Sequence, residues 1–312
     1  MLKLARLAMR TRFEIAIADE DVEANLRAAG EEAFDEIERL EAQLSVYRPD
    51  SDLTRINLRA AQEPVRVDPR VFSFLKRARE LSEQCGGAFD MTVGPLLKLW
   101  GLTGQPREQL PAEEEINAAR ELCGMATVLM LDETDFTVRF TRPGVRLDPG
   151  AIGKGYALER AAQLLREAGI RSALLHGGTS SVVAIGKPPG ELFWRVAIRH
   201  PLEEHTLLAE AALKDAESFS VSAPHGKAVE IAGRRFGHVL DPRSGRPVEG
   251  ALLAGVISSS ATESDALSTA LLVLGEQGLD ALAPRVKAQI VCVQRGGATV
   301  EPRAHGDGIT VF

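Results

Sequence analysis

From residue 172 to residue 260, strand-like runs follow one another with no helical pattern between them. They are SALLH, SVVAIG, FWRVAI, the stretch 208–222, KAVEI, RFGHVL and LLAGVIS. Helical periodicity is gathered instead in the first third. Val22, Leu26, Ala29, Ala33, Ile37, Leu40 and Leu44 recur at steps of three and four, which predicts an amphipathic helix over 21–44. Phe72, Leu75, Ala78 and Leu81 mark a second helix over 70–84, and 113–122 reads as a shorter third. TVLML at 127–131 and FTVRF at 136–140, joined by Asp132-Glu133-Thr134-Asp135, predict a hairpin. A helix over 152–168 should stop at Gly169, with Asp148-Pro149 as its acidic cap and first-turn proline. Beyond the strands come helices at 263–274 and 277–285, then the strands AQIVCV and GITVF. Helices first and antiparallel-looking runs after them make an α+β fold, with sheets flanked by helices, and not the regular alternation of a doubly wound sheet. No repeat, low-complexity tract or linker divides the chain, so 1–312 is expected to form one domain, or two intimate subdomains.

Composition narrows the class of function. Hydrophobic residues make up 45% and charged ones 26%, ordinary for a soluble globular protein. A net charge of −7 argues against a nucleic-acid surface, which needs a concentrated cationic face. No stretch approaches the roughly 18 uninterrupted apolar residues of a membrane span. Cys85, Cys123 and Cys292 are odd in number and far apart, so they predict neither a disulfide framework nor a zinc site, only small buried hydrophobes. The opening MLKLARLAMRTRFEIAIAD lacks the apolar run and cleavage site of a secretory signal and leads into a first strand near 13–18. That predicts a cytoplasmic protein, or an exported one if a leader precedes it.

Three segments carry chemistry. LDPGAIGKGYALERAA, from Leu147, is a glycine-rich turn running into a helix with Lys154 inside it, the pattern of an anion cradle. It is neither a Walker A loop nor a dinucleotide fingerprint, and a capped helix with a solvent-facing lysine is the plain structural alternative. In SSSATESDALSTALLVLG, Asp265 and Thr269 lie four apart on one helical face with Ser268 beside them. Carboxylate and hydroxyl oxygens suit Mg²⁺. Thr262 with Asp265 also fits a capping box, which would make the carboxylate structural. In FGHVLDPRSGRPVEG, His238 leads into a tight turn and could act as a general base, or be a packed bystander. Around them, GGAFDMTVGPLLKLWG could wrap a planar ligand, Tyr47 could stack on one, and the Gly-Gly of HGGTSSVVAIG offers close backbone approach.

Taken in order, Met9-x-Thr11, SVYRPDSDLTRIN, GGAFDMTVGPLLKLWG, LDPGAIGKGYA, the Gly-Gly bend, WRVAIRHP, GHVLDPRSGRPV and ESDALSTALLVLG resemble the ApbE family, the FAD:protein FMN transferases. The likeness runs from Met9 to Gly275. It implies an α+β enzyme that takes FAD as substrate with Mg²⁺, hands FMN to a Thr or Ser of a client flavoprotein and releases AMP. By matching motif positions, Met9, Tyr47, Ala88, Phe89, Asp90, Asp148, Lys154 and Leu240 would contact FAD. Ala151 (through its carbonyl), Asp265 and Thr269 would hold magnesium, with Ser268 adjacent, and His238 or Asp265 would serve as base. The chain departs from the family's Met-Gly-Thr at Arg10, and from its Thr-Ser-Gly at Val221-Ser222-Ala223, which Pro224-His225 follow. His176 also stands at a site that in the family is usually not histidine. These departures leave two alternatives open, a metal-dependent FAD pyrophosphatase and a non-catalytic FAD-binding protein.

Overall fold

The computed structural model describes every residue of 1–312 other than Asp21, Glu204, His225, Lys227 and 296–298, and every side chain among these other than those of Arg295 and Thr299. The chain opens with a hairpin of β1 (Leu2–Ala8) and β2 (Thr11–Ile17) about the two-residue turn Met9–Arg10. Both turn residues have positive φ, 49° and 62°, as in a type I′ turn, whose twist suits the flanking strands. The sequence pattern predicts only the second of these strands, because the turn lacks its customary glycine or asparagine.

A helical portion follows: α1 (Glu23–Leu44), α2 (Asp52–Arg59), β3 (Val65–Arg66), α3 (Pro69–Gln84), α4 (Gly94–Leu99), α5 (Glu113–Arg120), α6 (Met125–Val128), the predicted hairpin β4 (Leu129–Asp132) and β5 (Thr137–Phe140), and α7 (Gly153–Glu167). Strands then dominate: β6 (Ala173–Gly177), β7 (Ser181–Ile185), β8 (Trp194–Arg199), β9 (Leu207–Leu213), β10 (Ser218–Ser222), β11 (Ala228–Ile231), β12 (Arg234–Gly237), β13 (Leu240–Asp241), β14 (Arg246–Pro247) and β15 (Ala251–Ser258). The chain ends with α8 (Ala261–Leu274), α9 (Gln277–Leu282), β16 (Ala288–Arg295), β17 (Thr299–Gly306) and β18 (Ile309–Val311).

Among the described residues the largest sheet has the order β1-β2-β6-β7-β10-β15-β16-β17, with every neighbouring pair antiparallel. Two of its central strands, β7 and β15, are largely apolar on both faces, which is why they read as nearly unbroken hydrophobic runs. On β7, Val183 and Ile185 join a core with Leu26, Phe34, Leu158 and Leu165 of α1 and α7. Val182 and Ala184 point the other way, into a core with Trp194, Ile198 and Leu208 under the smaller sheet β18-β9-β8. Burying one such side chain contributes about 1.5–3 kcal/mol, so a register slip in this sheet would be costly.

The helix α8 lies on β10 and β15, beside α7, with its far side toward α3. Ala266, Leu267, Ala270 and Leu271 join the core of the helical portion, shared with Phe72, Phe74 and Leu75 of α3. Its N-cap is Ser260, whose hydroxyl accepts from the Glu263 N–H at 3.2 Å. Glu159 of α7 reinforces it, accepting from Ser260 Oγ at 2.6 Å and from the Thr262 N–H at 3.0 Å. The capping box expected of Thr262 and Asp265 does not form, since both lie inside the helix. Helix α7 also starts differently from the expectation. Its N-cap is Ile152, and Asp148 accepts from the Gly150 N–H at 2.8 Å in a turn ahead of the helix. No helix among the described residues is long and apolar enough to cross a membrane.

Candidate functional site

A cleft of about 740 Å³ opens where the large sheet, α7, α8 and the helical portion meet. Into it the fold brings Met9 and Arg10 from the first turn, Tyr47 from beyond α1, Ala88, Phe89 and Asp90 from beyond α3, and Asp148, Ala151 and Lys154 from the start of α7. His238 and Leu240 come from the segment joining β12 to β13, and Asp265 and Thr269 from α8. Ser268 does not line the cleft. Its hydroxyl is fully buried and donates to the Asp265 carbonyl at 3.0 Å. His176 stands on β6 opposite Glu14, where burial holds its imidazole below the ordinary histidine pKa, and it does not line the cleft either. His225 lies outside the described residues.

At the floor of the cleft, Asp265 is 3% exposed, yet its carboxylate is well supplied with donors. The Gly155 N–H donates to Oδ2 at 2.9 Å, Ser181 Oγ donates to Oδ1 at 3.2 Å, and Lys154 Nζ stands 3.8 Å from Oδ2. Gly155 lies in the first turn of α7, where backbone N–H groups have no partner in their own helix. A carboxylate from α8 therefore caps α7, and the partial positive charge of that helix end favours it. The sequence offered Asp265 as a cap of its own helix or as a metal ligand. It caps the neighbouring helix, and this role holds the acid at the cleft.

Proximity of the two helices depends on glycine. A Cβ at Gly155 would overlap the Ala261 carbonyl and come within 2.6 Å of Asp265 Cβ. The Lys154 ammonium also donates to the Gly150 carbonyl at 3.4 Å, so the turn 148–154 curls around its own cation.

Other cleft residues are held by their surroundings. The Asp90 carboxylate accepts from the Thr92 N–H at 2.7 Å, from Thr92 Oγ1, from the Met125 N–H at 2.8 Å and from Ser82 Oγ at 3.2 Å. It fixes the Ala88–Phe89 path more than it offers a free charge. Arg10 lays its guanidinium 4.8 Å from the centre of the exposed Tyr47 ring, a cation–π pair at the cleft edge. The turn after Leu240 is braced by Arg243, which grips Asp241 through Nε and Nη2 at 2.9 Å each, and by Trp100 Nε1 donating to the Gly245 carbonyl at 2.9 Å.

Several cleft residues were given no role by the sequence: Glu41 lines the cleft, as do Thr179 and Ser180 of HGGTSSVVAIG and Ser222 of Val221-Ser222-Ala223, and Ser181 holds Asp265 from behind. A signal existed for the serines. SFSVS on β10 alternates polar with apolar on a strand packed on both sides, and Ser264 and Ser268 recur four apart on the helix facing it.

Residues 9–293 match the model of the ApbE family. The chain is 36% identical over 232 residues to an FAD:protein FMN transferase of Rhodobacter capsulatus, an alignment covering 74% of this chain and 43% of that relative. It is 32% identical over 270 residues to a protein of the same description from Klebsiella pneumoniae (strain 342), covering 86% and 83%. Among solved structures it is similar to the ApbE protein of Thermotoga maritima, with a TM-score of 0.86 at 29% identity over 96% of each chain. The apo form of the Pseudomonas stutzeri flavinyl transferase ApbE matches with a TM-score of 0.82 at 30% identity over 97% and 94%.

Proposed function

This chain belongs to the ApbE family and is a transferase, and from that premise we propose that it moves FMN from FAD to a Ser or Thr hydroxyl of a client flavoprotein, releases AMP and uses Mg²⁺. The observation that carries the reading is the convergence, in one cleft, of the Asp265 carboxylate, the Thr269 hydroxyl and the Lys154 ammonium at the start of α7.

The donor set fits a hard cation. Among the described residues no three His, Cys, Asp or Glu side chains converge on a common point. A cation here would thus draw on the Asp265 carboxylate, the neutral oxygens of Thr269 and Ala151, water and substrate phosphate. Magnesium favours such a mixture, commonly taking one or two carboxylates and keeping waters and phosphate oxygens. Bound there, it would offset negative charge on the diphosphate.

Each protein group has a definite task in the proposed reaction. Lys154 and the partial positive charge at the start of α7 attract the diphosphate. Asp265 keeps that turn and the metal-bearing face of α8 in register. His238 takes the proton of the acceptor hydroxyl as its oxygen bonds to the phosphorus of the FMN half. The bond between the two phosphates breaks, and AMP leaves with the electron pair. Tyr47 contributes flat apolar surface at the cleft, suited to a ring of the dinucleotide, while Phe89 is buried in the core behind it.

The test is mass spectrometry of a client domain incubated with the protein, FAD and Mg²⁺. An FMN increment on a Ser or Thr, with AMP released in equal amount, is expected, and Asp265→Ala should abolish it without unfolding the chain. Replacing His238 by Ala should slow transfer about 10²–10⁴-fold, the usual worth of a positioned base. FMN and AMP appearing without any client adduct would make the protein a pyrophosphatase. FAD bound but unchanged with every divalent metal would make it a carrier.

A further inference from the structure

Where β10 faces α8, the contact is made by hydroxyls. Ser218 Oγ donates to the Ser258 carbonyl at 2.9 Å and lies 3.1 Å from Ser264 Oγ, and Ser220 Oγ lies 2.9 Å from Ser264 Oγ. Ser218, Ser220 and Ser264 are at most 1% exposed. The last member of the row, Ser222, reaches the cleft. Its oxygen is 2.9 Å from Ser268 Oγ and 3.0 Å from Thr269 Oγ1.

Proton bookkeeping decides how this last rung is wired. Ser222, Ser268 and Thr269 have one hydroxyl proton each to place. Four contacts compete for them: the two just given, Ser268 Oγ to the Asp265 carbonyl at 3.0 Å, and Thr269 Oγ1 to the same carbonyl at 3.4 Å. Hydroxyl hydrogen bonds weaken beyond about 3.0 Å, so the best arrangement omits the long contact. Ser268 then donates to the Asp265 carbonyl, Ser222 donates to Ser268, and Thr269 donates to Ser222. The Thr269 proton is drawn back toward β10, and both of its lone pairs remain available.

We infer that Ser222 is a positioning residue for the metal site: by accepting the Thr269 proton it turns the lone pairs of that hydroxyl toward a divalent cation in the cleft. A neutral hydroxyl can bind a cation only through its oxygen, with its proton directed elsewhere. The inference rests on the magnesium site of the proposed function and adds to it a residue that acts through Thr269.

The experiment is a titration of the full chain, in the presence of FAD, with Mn²⁺ as the probe, following the paramagnetic signal of the free ion. Groups that orient metal ligands are worth roughly 10–100-fold in affinity, so Ser222→Ala should raise the half-saturating Mn²⁺ concentration about tenfold or more. Ser222→Thr, which keeps the hydroxyl, should restore it. Ser220→Ala removes a rung away from the cleft and should lower the melting temperature while leaving Mn²⁺ saturation as in the parent chain. Should Ser222→Ala fail to fold, Ser222→Cys keeps the volume with a far weaker acceptor, and the same weakening is expected of it. Parent-like saturation in the folded Ser222 variant, or equal weakening by Ser220→Ala, would overturn the inference and leave the metal site standing. Should Asp265→Ala bind Mn²⁺ as the parent does, the metal site itself fails and this inference with it.

Discussion

Arg10 holds a backbone conformation that suits glycine, with φ at 62° in a two-residue turn, and it lays its side chain on Tyr47. A left-handed conformation costs an ordinary residue about 1–2 kcal/mol, and an exposed cation–π pair returns about 0.5–1 kcal/mol. The strain is the larger of these, but glycine also adds about 0.4–1 kcal/mol of unfolded-chain freedom, so Arg10→Gly is expected to leave the thermal midpoint near that of the parent while uncovering the Tyr47 ring. A clearly lowered midpoint would show that the pair with Tyr47 and the chain entropy together outweigh the strain. Asp265 is the contrasting case. Its spacing to Thr269 was visible in the sequence, but its hydrogen bond to Gly155 was not, because that pairing depends on how two helices distant in sequence lie against each other.

Among elements, the α7–α8 pair carries most of the site. Gly155→Ala would gain up to about 1 kcal/mol in helix propensity, yet its new methyl would meet the Ala261 carbonyl and Asp265. Overpacking of this kind costs about 1–3 kcal/mol, so the net expectation is a lower urea midpoint, and an unchanged or raised one would mean that the two helices separate freely. The sequence made α1 and α3 legible because each buries a stripe long enough to repeat several times. It hid α2, eight residues long, and β17, whose run TVEPRAHG contains a proline and charges suited to the sheet edge it occupies. The stretch 208–222 reads as one unit, yet a turn with Ala216 at φ 61° divides it between two sheets, as β9 and β10. Likewise RFGHVL divides into β12 and β13, leaving His238 in the short link between them, at the cleft. Local pattern finds apolar runs; the strand's change of sheet, which places Ser222 at the end of β10 and His238 after β12 at the cleft, depends on long-range packing.

At the scale of the whole molecule, the three thiols lie in or against three different cores. Cys85 belongs to the core of the helical portion, Cys292 to the core under the small sheet, and Cys123 packs against the cluster of Leu96, Trp100 and Phe236. Burial pushes all three thiols up, Cys123 and Cys292 to about 12. At pH 8 the thiolate fraction of a thiol near 12 is about a thousandfold below that of an exposed one, before any steric protection is counted. Alkylation therefore reports opening of each core separately. The cores are not independent, because Ala254 and Val256 of β15 and Val291 of β16 belong to the same cluster as Phe72 and Leu75 of α3, and α8 packs on both the sheet and α3. Opening the helical portion would strip one face of the large sheet and of α8 at once. We therefore expect the chain to unfold as one cooperative unit, with Cys85, Cys123 and Cys292 becoming reactive to iodoacetamide at a common urea midpoint, read by peptide mass spectrometry. Separate midpoints for Cys123 and Cys292 would instead divide the chain into two subdomains, with the cleft at their junction.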